Sequence, residues 1–257
     1  MSSSRPIALI TGASAGIGAE FARQLAPAWD LILVARRAER LEALAAELAP
    51  AGCRVEALAA DLAAEADVER VARRIAEEPR LELLVNNAGF GGTGLFWEAP
   101  YADQRRMHDV HILATLRLTH AALAAFVPRD RGAVINVASV AAFIRGPGSA
   151  GYGATKSWMT AFTEALHLEL RSRRSRVRVQ ALCPGFTYSE FHDVAGIDRA
   201  GRAPPSLWLA APQVVSESLA GLRAGRVYVV PGWRYRLITA IATKLPHRLR
   251  MALEARR

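Results

Sequence analysis

Lysine and cysteine are both scarce in this sequence. Only Lys156 and Lys244 occur among 257 residues, and the other 31 of the 33 basic residues are arginine. The two cysteines, Cys53 and Cys183, lie far apart and form no CxxC pair. This pattern argues against a disulfide framework and a cysteine-based metal site, so we expect no metal and a reducing, cytoplasmic setting. The scarcity of lysine also makes a lysine inside a motif conspicuous.

Long apolar runs are missing as well. No uninterrupted apolar stretch reaches 18 residues, so no membrane-spanning helix is predicted. Only MSSSR precedes the first predicted strand, which leaves no room for a signal peptide. The hydrophobic fraction of 51% and the mean hydropathy of +0.11 indicate an ordered globular protein. Because there is no linker, repeat or low-complexity tract, residues 1–257 are expected to form one domain.

Basic residues outnumber acidic ones, and the excess is unevenly distributed. The net charge is +9, and the predicted tail at 233–257 carries seven basic residues against the single acid Glu254. A second basic cluster, RSRRSRVR, spans 171–178. Such patches can bind nucleic acid, but no nucleic-acid-binding motif accompanies them. We therefore expect a solvated surface and no nucleic-acid partner.

The tail also has an apolar stripe between its basic residues. The stripe consists of Leu237, Ile238, Ile241, Leu245 and Leu249. A basic amphipathic helix of this kind can lie on an anionic membrane. The alternative is packing against the domain, the substrate pocket or a partner subunit. We favour packing, because Pro246 interrupts the helix.

Runs of β-forming residues alternate with helical patterns along the chain. Strands are predicted at 7–11, 31–35, 54–60, 81–86, 132–139, 177–183 and 226–230. They are apolar on both faces, as in a parallel sheet between two helical layers. The helix predicted at 149–172 has an apolar face marked by Trp158, Phe162, Ala165, Leu166 and Leu170. The pattern predicts a single α/β domain that is Rossmann-like and doubly wound, with about seven parallel strands and helices on both faces.

A glycine-rich turn, TGASAGIG at 11–18, joins the first strand to the first helix. Glycines permit a tight turn and close approach of a phosphate, and the helix N-terminus supplies free N–H groups. The spacing GxxxGxG differs from the common GxGxxG, but its place between a strand and a helix predicts a dinucleotide site. The candidate contacts in this turn are Gly12, Ser14, Gly16, Ile17 and Gly18.

The residues after the second strand indicate which dinucleotide is bound. A carboxylate there would hold the ribose diol of NAD(H) and repel a 2′-phosphate. This sequence instead has Arg36 and Arg37, whose planar guanidinium groups suit bidentate phosphate contacts. The alternative is two solvated arginines at a helix start, a mildly unfavourable place for cations. We therefore predict NADP(H) in preference to NAD(H).

Candidate contacts with adenine follow the third strand. Asp61 can accept a hydrogen bond from the adenine amino group while Leu62 packs near the ring. The alternative for Asp61 is capping of the following helix.

The motif NNAG at 86–89 follows the fourth strand. Its small residues, Ala88 and Gly89, let the backbone lie against the adenosine ribose. Its two asparagines, Asn86 and Asn87, can tie the strand end to neighbouring backbone.

A serine, a tyrosine and one of the two lysines form the predicted catalytic group. The fifth predicted strand ends at Ser139, and Tyr152 and Lys156 follow at helical positions i and i+4, on one helix face. A phenol titrates near pH ~10 in water, which is too high for acid–base work at neutral pH. A nearby cation, together with an oxidised nicotinamide, should favour the phenolate and lower the pKa of Tyr152.

These motifs together resemble those of the short-chain dehydrogenase/reductase (SDR) family. The resemblance rests on Thr11–Gly18, Asn86–Gly89, Ser139, Tyr152 with Lys156, and PGFTYSEF at 184–191. They occur in the family's order and cover roughly residues 6–230. The resemblance implies interconversion of a carbonyl and an alcohol, with hydride transfer between nicotinamide C4 and the carbonyl carbon.

The resemblance also implies a role for each matching residue. Tyr152 would be the general acid in reduction and the base in oxidation. Ser139 would hydrogen-bond the substrate oxygen, and Lys156 would bind the nicotinamide ribose. The residues bordering the nicotinamide would be Pro184, Gly185 and Thr187, with Ser189 where the family often has a threonine. Relatives commonly form dimers and tetramers through the helices at 101–126 and 151–171, so a homodimer or homotetramer is expected.

One position departs from the family pattern. The family usually has an asparagine in the fourth long helix, where it helps anchor a water that links the lysine to solvent. Here that position is His111. An imidazole could hold such a water or relay the proton itself. It could equally be a core histidine in a chain whose proton path runs differently.

Aromatic residues in the loops around the predicted site suggest an apolar, roomy pocket. They are Phe90, Phe96, Trp97, Phe143, Phe186 and Trp208. Residues 190–210 would form a mobile substrate lid. We expect a hydrophobic ketone, aldehyde or 3-oxoacyl substrate. The alternatives are a membrane-docked lipid-pathway reductase and a dinucleotide-binding regulatory protein with little turnover.

Overall fold

A parallel sheet of seven strands forms the centre of the fold. The computed structural model describes residues 5–92, 94–189 and 204–254. The strands are β1 (Ile7–Thr11), β2 (Asp30–Ala35), β3 (Val55–Ala59), β4 (Leu81–Asn86), β5 (Ala133–Val137), β6 (Arg178–Leu182) and β7 (Tyr228–Val229). They are ordered β3-β2-β1-β4-β5-β6-β7, and every neighbouring pair is parallel. The predicted α/β class and the seven-stranded parallel sheet are confirmed.

Helices cover both faces of this sheet. They are α1 (Gly16–Leu25), α2 (Ala38–Leu48), α3 (Glu65–Ala76), α4 (Tyr101–His108), a π-helical segment (Asp109–Ala114), α5 (Thr115–Arg129), α6 (Ala150–Ser172), α7 (Ala211–Arg223), α8 (Trp233–Lys244) and α9 (His247–Glu254). Side chains of α1, α2 and α7 share one core, and those of α3 and α5 share the other. Alternate residues of β1 divide between them, because successive strand residues point to opposite faces.

The strand order creates a crevice in the middle of the sheet. β1 pairs with β2 on one side and with β4 on the other. The chain crosses over in opposite directions from this point, so the loops after β1 and β4 diverge. Ligands of open parallel sheets bind at such a point, outside the carboxyl ends of the strands. Thr11 and Asn86 end the two strands there.

The prediction that every strand is apolar on both faces is wrong for β3. Its residues are half-buried or exposed, whereas all of β1 is buried. β3 is an edge strand, and its Glu56 pairs with Arg74 of α3 at 2.8 Å. An edge strand is covered less completely, so it tolerates a charged residue where a central strand does not.

The predicted apolar face of α6 is buried only towards the end of the helix, where Leu170 lies in the core with α3 and Leu166 packs against it. Trp158 and Phe162 are only half-buried and stack on each other, with ring centroids 4.7 Å apart. The side turned to the sheet instead carries Lys156, Met159 and Thr163. Thr163 accepts a hydrogen bond from Asn136 of β5, so polar pairing decides the orientation of the helix here.

The stretch Tyr101–Arg129 is long and apolar enough to cross a membrane, by length and composition alone. Half of its most apolar window is buried inside the domain. Leu118 and Ala122 of this stretch belong to the core shared with α3. Core helices of soluble proteins meet the same criterion, so the stretch is weak evidence for a membrane span.

The described part of the tail forms α8 and α9, and the predicted break at Pro246 lies between them. α8 packs on the domain through Tyr235 and Thr239, which are both buried. Its opposite side leaves Trp233, Leu237 and Ile241 exposed. The predicted stripe is therefore divided, because Ile238 and Leu245 are half-buried and Leu249 is exposed.

Candidate active site

Hydrogen bonds from Thr11 and Asn87 join the ends of β1 and β4. The Thr11 hydroxyl donates to the Val85 carbonyl at 3.2 Å and accepts from the backbone N–H groups of Asn87 and Ala88 at 2.9 and 3.0 Å. The Asn87 side chain donates to the carbonyls of Thr11 and Gly12 at 2.9 and 3.2 Å. Asn87 therefore ties its strand end to neighbouring backbone, which fixes the floor of the crevice.

Asn86 makes a different kind of contact from the one expected. Its side chain donates to the side chains of Thr119 and Asn136, both at 2.9 Å, rather than to backbone. Asn136 in turn donates to Thr163 of α6 at 2.9 Å. This buried polar chain links β4, β5 and two helices below the site.

Three glycines of the turn are required by close packing. Gly12 and Gly16 have positive φ, +64° and +55°. A Cβ on Gly18 would overlap the Gly12 carbonyl, and one on Gly16 would lie 2.8 Å from Cβ of Ser189. The turn therefore approaches both the end of β4 and the loop after β6 closely. It forms a shallow cradle of backbone in which side chains would fill the space.

The cradle opens onto the N-terminus of α1 and a patch of arginine. Ala15 is the N-cap of α1 and makes no side-chain cap hydrogen bond to the N–H groups of the first turn. Arg37 donates to the Ser14 hydroxyl at 3.0 Å, which places a guanidinium against the turn. Arg36 is exposed beside a cleft of about 310 Å³ that it lines with Ala59, Ala60, Asp61 and Asp67. Both features suit a dinucleotide phosphate.

Neither alternative predicted for Asp61 describes all of its contacts. One carboxylate oxygen accepts from the Ala63 N–H at 3.1 Å, and the other pairs with Arg106 at 2.7 Å. Capping of α3 is excluded, because its N-cap is Ala64. Burial raises the pKa of Asp61, but the bonds from Arg106 and Ala63 outweigh it and hold the pKa below its ordinary value. Leu62 is buried in the core with α3.

Ser139, Tyr152 and Lys156 converge where β5 ends and α6 begins. The Ser139 hydroxyl accepts from the Ala141 N–H at 3.1 Å and is hydrogen-bonded to the Tyr152 hydroxyl. The Lys156 ammonium is buried and donates to the Val137 carbonyl at 2.8 Å. It lies 5.7 Å from the centroid of the Tyr152 ring. The structure therefore brings the three predicted catalytic side chains together.

The pKa values of this group differ from the expectation. Burial raises the pKa of Tyr152 to about 12, against a smaller lowering by the Ser139 hydrogen bond. Burial also lowers the pKa of Lys156 to about 7. The predicted lowering combined the lysine with an oxidised nicotinamide, and for the protein groups alone burial dominates, because both side chains are desolvated. A further positive charge is needed to favour the phenolate.

The loop after β6 is held by a residue that sequence reasoning missed. The Tyr235 hydroxyl accepts from the Phe186 N–H at 3.0 Å and donates to the Leu207 carbonyl at 2.8 Å. Its ring packs so closely on Gly185 that a Cβ there would overlap it. Tyr235 is 49 residues from Phe186, so no local sequence signal connects them. The predicted nicotinamide-side residues Pro184, Gly185 and Thr187 all lie in this loop.

Replacing Tyr235 with phenylalanine should loosen this loop. The change leaves the Phe186 N–H and the Leu207 carbonyl without their partner, which costs about 1–3 kcal/mol for buried groups. We expect a lower Tm and a several-fold higher KM for the dinucleotide, from thermal unfolding and initial rates. Tyr228→Phe is the matched control, since it removes a tyrosine hydroxyl bonded to Glu164 instead. An unchanged KM in Tyr235→Phe would contradict the role.

The predicted aromatic pocket is only partly assembled. Phe96 lines a small cavity beside Tyr152 with Gln104 and Met107, whereas Trp97 is fully at the surface, 78% exposed. Trp208 packs on Phe186 and stacks on Tyr188, with centroids 5.4 and 5.0 Å apart.

The other two predicted pocket aromatics pack elsewhere. Phe143 packs edge-on against Tyr228, and Phe90 lies beside His111. Of the predicted lid, 190–203 lies outside the described residues. Residues 204–209 run beside the loop after β6, bridging Leu209 to Thr187.

His111 lies in the π-helical segment and is completely buried. Its ring is 5.9 Å from the Tyr152 ring and meets it edge-on. Burial lowers the pKa of His111 well below its ordinary value, and the charge of Lys156 adds to this. The imidazole is therefore neutral. Among the residues that the structure describes, no group of three or more His, Cys, Asp and Glu side chains could hold a metal ion.

Comparison with known proteins gives one consistent result. Residues 6–199 match the sequence family described as short chain dehydrogenase. An uncharacterized oxidoreductase of Myxococcus xanthus is 33% identical over 244 residues, which is 94% of this chain and 93% of that protein.

Two solved structures are similar over nearly their whole length. A short-chain dehydrogenase from Sphingobium yanoikuyae in complex with NADPH is 34% identical, with a TM-score of 0.84 over 94% of this chain and 97% of that one. The bulky-bulky ketone specific alcohol dehydrogenase from Comamonas testosteroni is 28% identical, with a TM-score of 0.79 over 94% and 95%.

Proposed function

This chain belongs to the short-chain dehydrogenase/reductase family of oxidoreductases that act on alcohols and carbonyls, and from that membership we propose that it is NADP(H)-dependent and interconverts an apolar ketone, aldehyde or 3-oxoacyl group with its alcohol. The observation that carries the proposal is the convergence of Ser139, Tyr152 and Lys156 beside the glycine cradle. A dinucleotide-binding protein with little turnover would not require this group.

The residues of the crevice fit a nicotinamide dinucleotide. When bound, such a group supplies or accepts the hydride. The residues that would hold it are Gly12, Ser14, Gly16, Ile17 and Gly18 at the phosphates, Arg36 and Arg37 at a 2′-phosphate, Asp61, Leu62, Asn87, Ala88 and Gly89 at the adenosine, and Tyr152, Lys156, Pro184, Gly185 and Thr187 at the nicotinamide end. The support is the cradle in which side chains would overlap and the arginine beside the cleft.

The protein groups then manage one proton. In reduction, the Tyr152 hydroxyl gives its proton to the carbonyl oxygen, and burial keeps this hydroxyl protonated at neutral pH. The Ser139 hydroxyl donates a hydrogen bond to the same oxygen and orients it. In oxidation, the Tyr152 phenolate accepts the proton, and Lys156, beside its ring, is placed to stabilise that phenolate together with the positive charge that an oxidised nicotinamide would add.

An aromatic cluster on the loop after β6 supports an apolar substrate. Phe186, Tyr188 and Trp208 form this cluster, and the small cavity beside the Tyr152 ring has a mixed lining, Phe96 and Met107 together with Gln104 and Ser149. Aromatic side chains bind apolar substituents, while the hydrogen-bonding pair at the catalytic end fixes the carbonyl.

A carbonyl panel with NADPH and with NADH tests the proposed function. We expect turnover of ketones and aldehydes with bulky apolar substituents, measured as kcat/KM from loss of NADPH absorbance. Preference for small charged aldehydes would contradict the substrate class. NADPH binding without turnover of any carbonyl would favour the regulatory alternative.

We expect the enzyme to be a homo-oligomer that associates through its long helices. Leu113, Leu116 and Leu168 are exposed on the π-helical segment, α5 and α6. Leu116→Glu should lower the molar mass measured by light scattering, whereas Leu237→Glu, on the exposed side of α8, should leave it unchanged. The reverse pattern would place the interface on the tail.

Sedimentation of both variants with anionic vesicles tests the membrane-docked alternative, which predicts weaker binding of Leu237→Glu alone.

A further inference from the structure

Hydrogen bonds engage both ring nitrogens of His111 with the protein. The backbone N–H of Phe90 donates to Nε2 at 3.1 Å, and Nδ1 lies 2.9 Å from the Thr155 hydroxyl. The Thr155 hydroxyl in turn donates to the backbone carbonyl of Tyr152 at 2.9 Å. One imidazole thus connects the loop after β4 with the first turns of α6.

The donor and the acceptor of each of these hydrogen bonds can be assigned. A backbone N–H can only donate, so Nε2 of His111 must be the acceptor and the proton of the neutral ring is on Nδ1. Nδ1–H therefore donates to Thr155, whose own proton points to the Tyr152 carbonyl. A protonated Nε2 would face another donor, which agrees with the lowered pKa of this histidine.

This geometry is incompatible with a proton relay through His111. A relay requires a nitrogen that can exchange its proton with a water or with Lys156, and both nitrogens are already committed to protein partners. The Lys156 ammonium donates elsewhere, to the Val137 carbonyl.

The backbone of the NNAG motif is shaped around the imidazole. A Cβ on Gly89 would lie 2.6 Å from Nε2 of His111, so only glycine allows the approach. The neighbouring Phe90 ring lies 5.9 Å from the imidazole on one side, and Tyr152 lies 5.9 Å away on another. The histidine therefore fills the space between the predicted dinucleotide loop and the predicted proton donor.

We propose that His111 is a positioning residue, which holds the NNAG loop and the Tyr152 turn of α6 in register through Phe90 and Thr155. The family asparagine at this position is thereby replaced by a residue whose side chain positions its neighbours, and a proton path would bypass the imidazole of His111. The proposal rests on the proposed function only for the roles of the residues that His111 positions, which are dinucleotide binding by the NNAG loop and proton transfer by Tyr152. Misplacement by about 1 Å can cost on the order of 100-fold in rate, so the effect on kcat is measurable.

The decisive variants lie on α6 as well as at residue 111. Thr155→Val removes the hydroxyl and keeps the shape, Thr155→Ser keeps the hydroxyl, and His111→Phe removes both imidazole bonds. Thr160→Val is the matched control, because Thr160 is also a buried α6 threonine but donates to the Ser157 carbonyl. Readouts are kcat, KM, the pH profile of kcat, and the Kd for NADPH measured by fluorescence.

Positioning predicts that Thr155→Val and His111→Phe each lower kcat roughly 10- to 100-fold and weaken NADPH binding. Thr155→Ser and Thr160→Val should keep kcat and the Kd for NADPH near the wild-type values. The double variant His111→Phe/Thr155→Val should lose no more kcat than the more affected single variant, because both changes break the same chain of hydrogen bonds. The pH profile of kcat should keep its wild-type midpoint in both Thr155→Val and His111→Phe. A relay predicts a shifted pH profile in His111→Phe together with wild-type behaviour of Thr155→Val, and this result overturns the proposal.

Failure of the proposed function can be distinguished from failure of the positioning role of His111. If the proposed function is wrong, the wild-type enzyme turns over no carbonyl. If the positioning role is wrong, Thr155→Val binds NADPH with the wild-type Kd, a result that needs no turnover. Should His111→Phe not fold, the two threonine variants alone decide the question.

Discussion

Tyr152→Phe should abolish carbonyl reduction while leaving NADPH binding intact. The substitution removes the hydroxyl that is bonded to Ser139 and keeps the ring that packs on His111 and Lys156. General acid catalysis contributes about 10²–10⁴-fold, so kcat should fall by roughly 10³-fold or more. Initial rates with the best carbonyl substrate of the panel give kcat, and the Kd for NADPH is measured separately.

The control for this variant is Tyr101→Phe. Tyr101 is 78% exposed at the start of α4, so the loss of its hydroxyl should change neither quantity. Unchanged turnover in Tyr152→Phe would assign the proton to another group. A fall in NADPH affinity as large as the fall in kcat would show that the hydroxyl acts in binding rather than in proton transfer.

The pH dependence should differ between the two directions. Burial raises the pKa of Tyr152 to about 12, so the protonated hydroxyl needed for reduction is present at neutral pH and is lost only as pH rises through its apparent pKa. Oxidation needs the phenolate and should gain rate with pH. Its apparent pKa should lie below 12, because the oxidised nicotinamide adds the positive charge that the protein alone lacks.

Arg36→Ala combined with Arg37→Ala should transfer the cofactor preference from NADPH towards NADH. The two guanidinium groups are the candidates for the 2′-phosphate, which NADH lacks. Bonds to a charged group contribute about 1.5–3 kcal/mol, so KM for NADPH should rise roughly 10- to 100-fold. KM for NADH should rise much less, because only the contact of Arg37 with the glycine-rich turn is lost for that cofactor, and the ratio of the two kcat/KM values measures the preference.

The single variants divide this effect. Arg36 lies at the cleft, whereas Arg37 also donates to Ser14 in the glycine-rich turn. Arg36→Ala should therefore affect NADPH alone, while Arg37→Ala should weaken both dinucleotides. Arg226→Ala is the charge-matched control, because Arg226 precedes β7 at the opposite edge of the sheet. Equal losses with NADPH and NADH in Arg36→Ala would remove the 2′-phosphate assignment.

The strand and helix pattern could be predicted because it is local. Buried parallel strands require continuous apolar runs, and the runs at 7–11 and 81–86 agree with β1 and β4 to the residue. The glycine spacing and the i, i+4 pair of Tyr152 and Lys156 are also short-range patterns. These patterns alone predict a candidate site at the carboxyl ends of the strands.

Predictions that depended on distant partners were less complete. Asp61 has Arg106 as its partner, 45 residues away, and Tyr235 reaches Phe186 across 49 residues. In α6 up to Thr163, the buried side carries the polar chain from Asn136, whereas Trp158 and Phe162 of the predicted stripe are only half-buried. No periodicity within a segment contains this information, because it arises only when separate segments meet.

The sequence by itself determined the fold class, and it predicted the glycine-rich turn as a dinucleotide site and the members of the candidate catalytic group, since each depends on residue types at short spacing. Only the tertiary structure decided the protonation of that group and the contacts of His111. Burial, which depends on all the surrounding segments, raises the pKa of Tyr152 and lowers that of Lys156. The bonds from Phe90 and to Thr155 exist because the fold brings three segments to one imidazole.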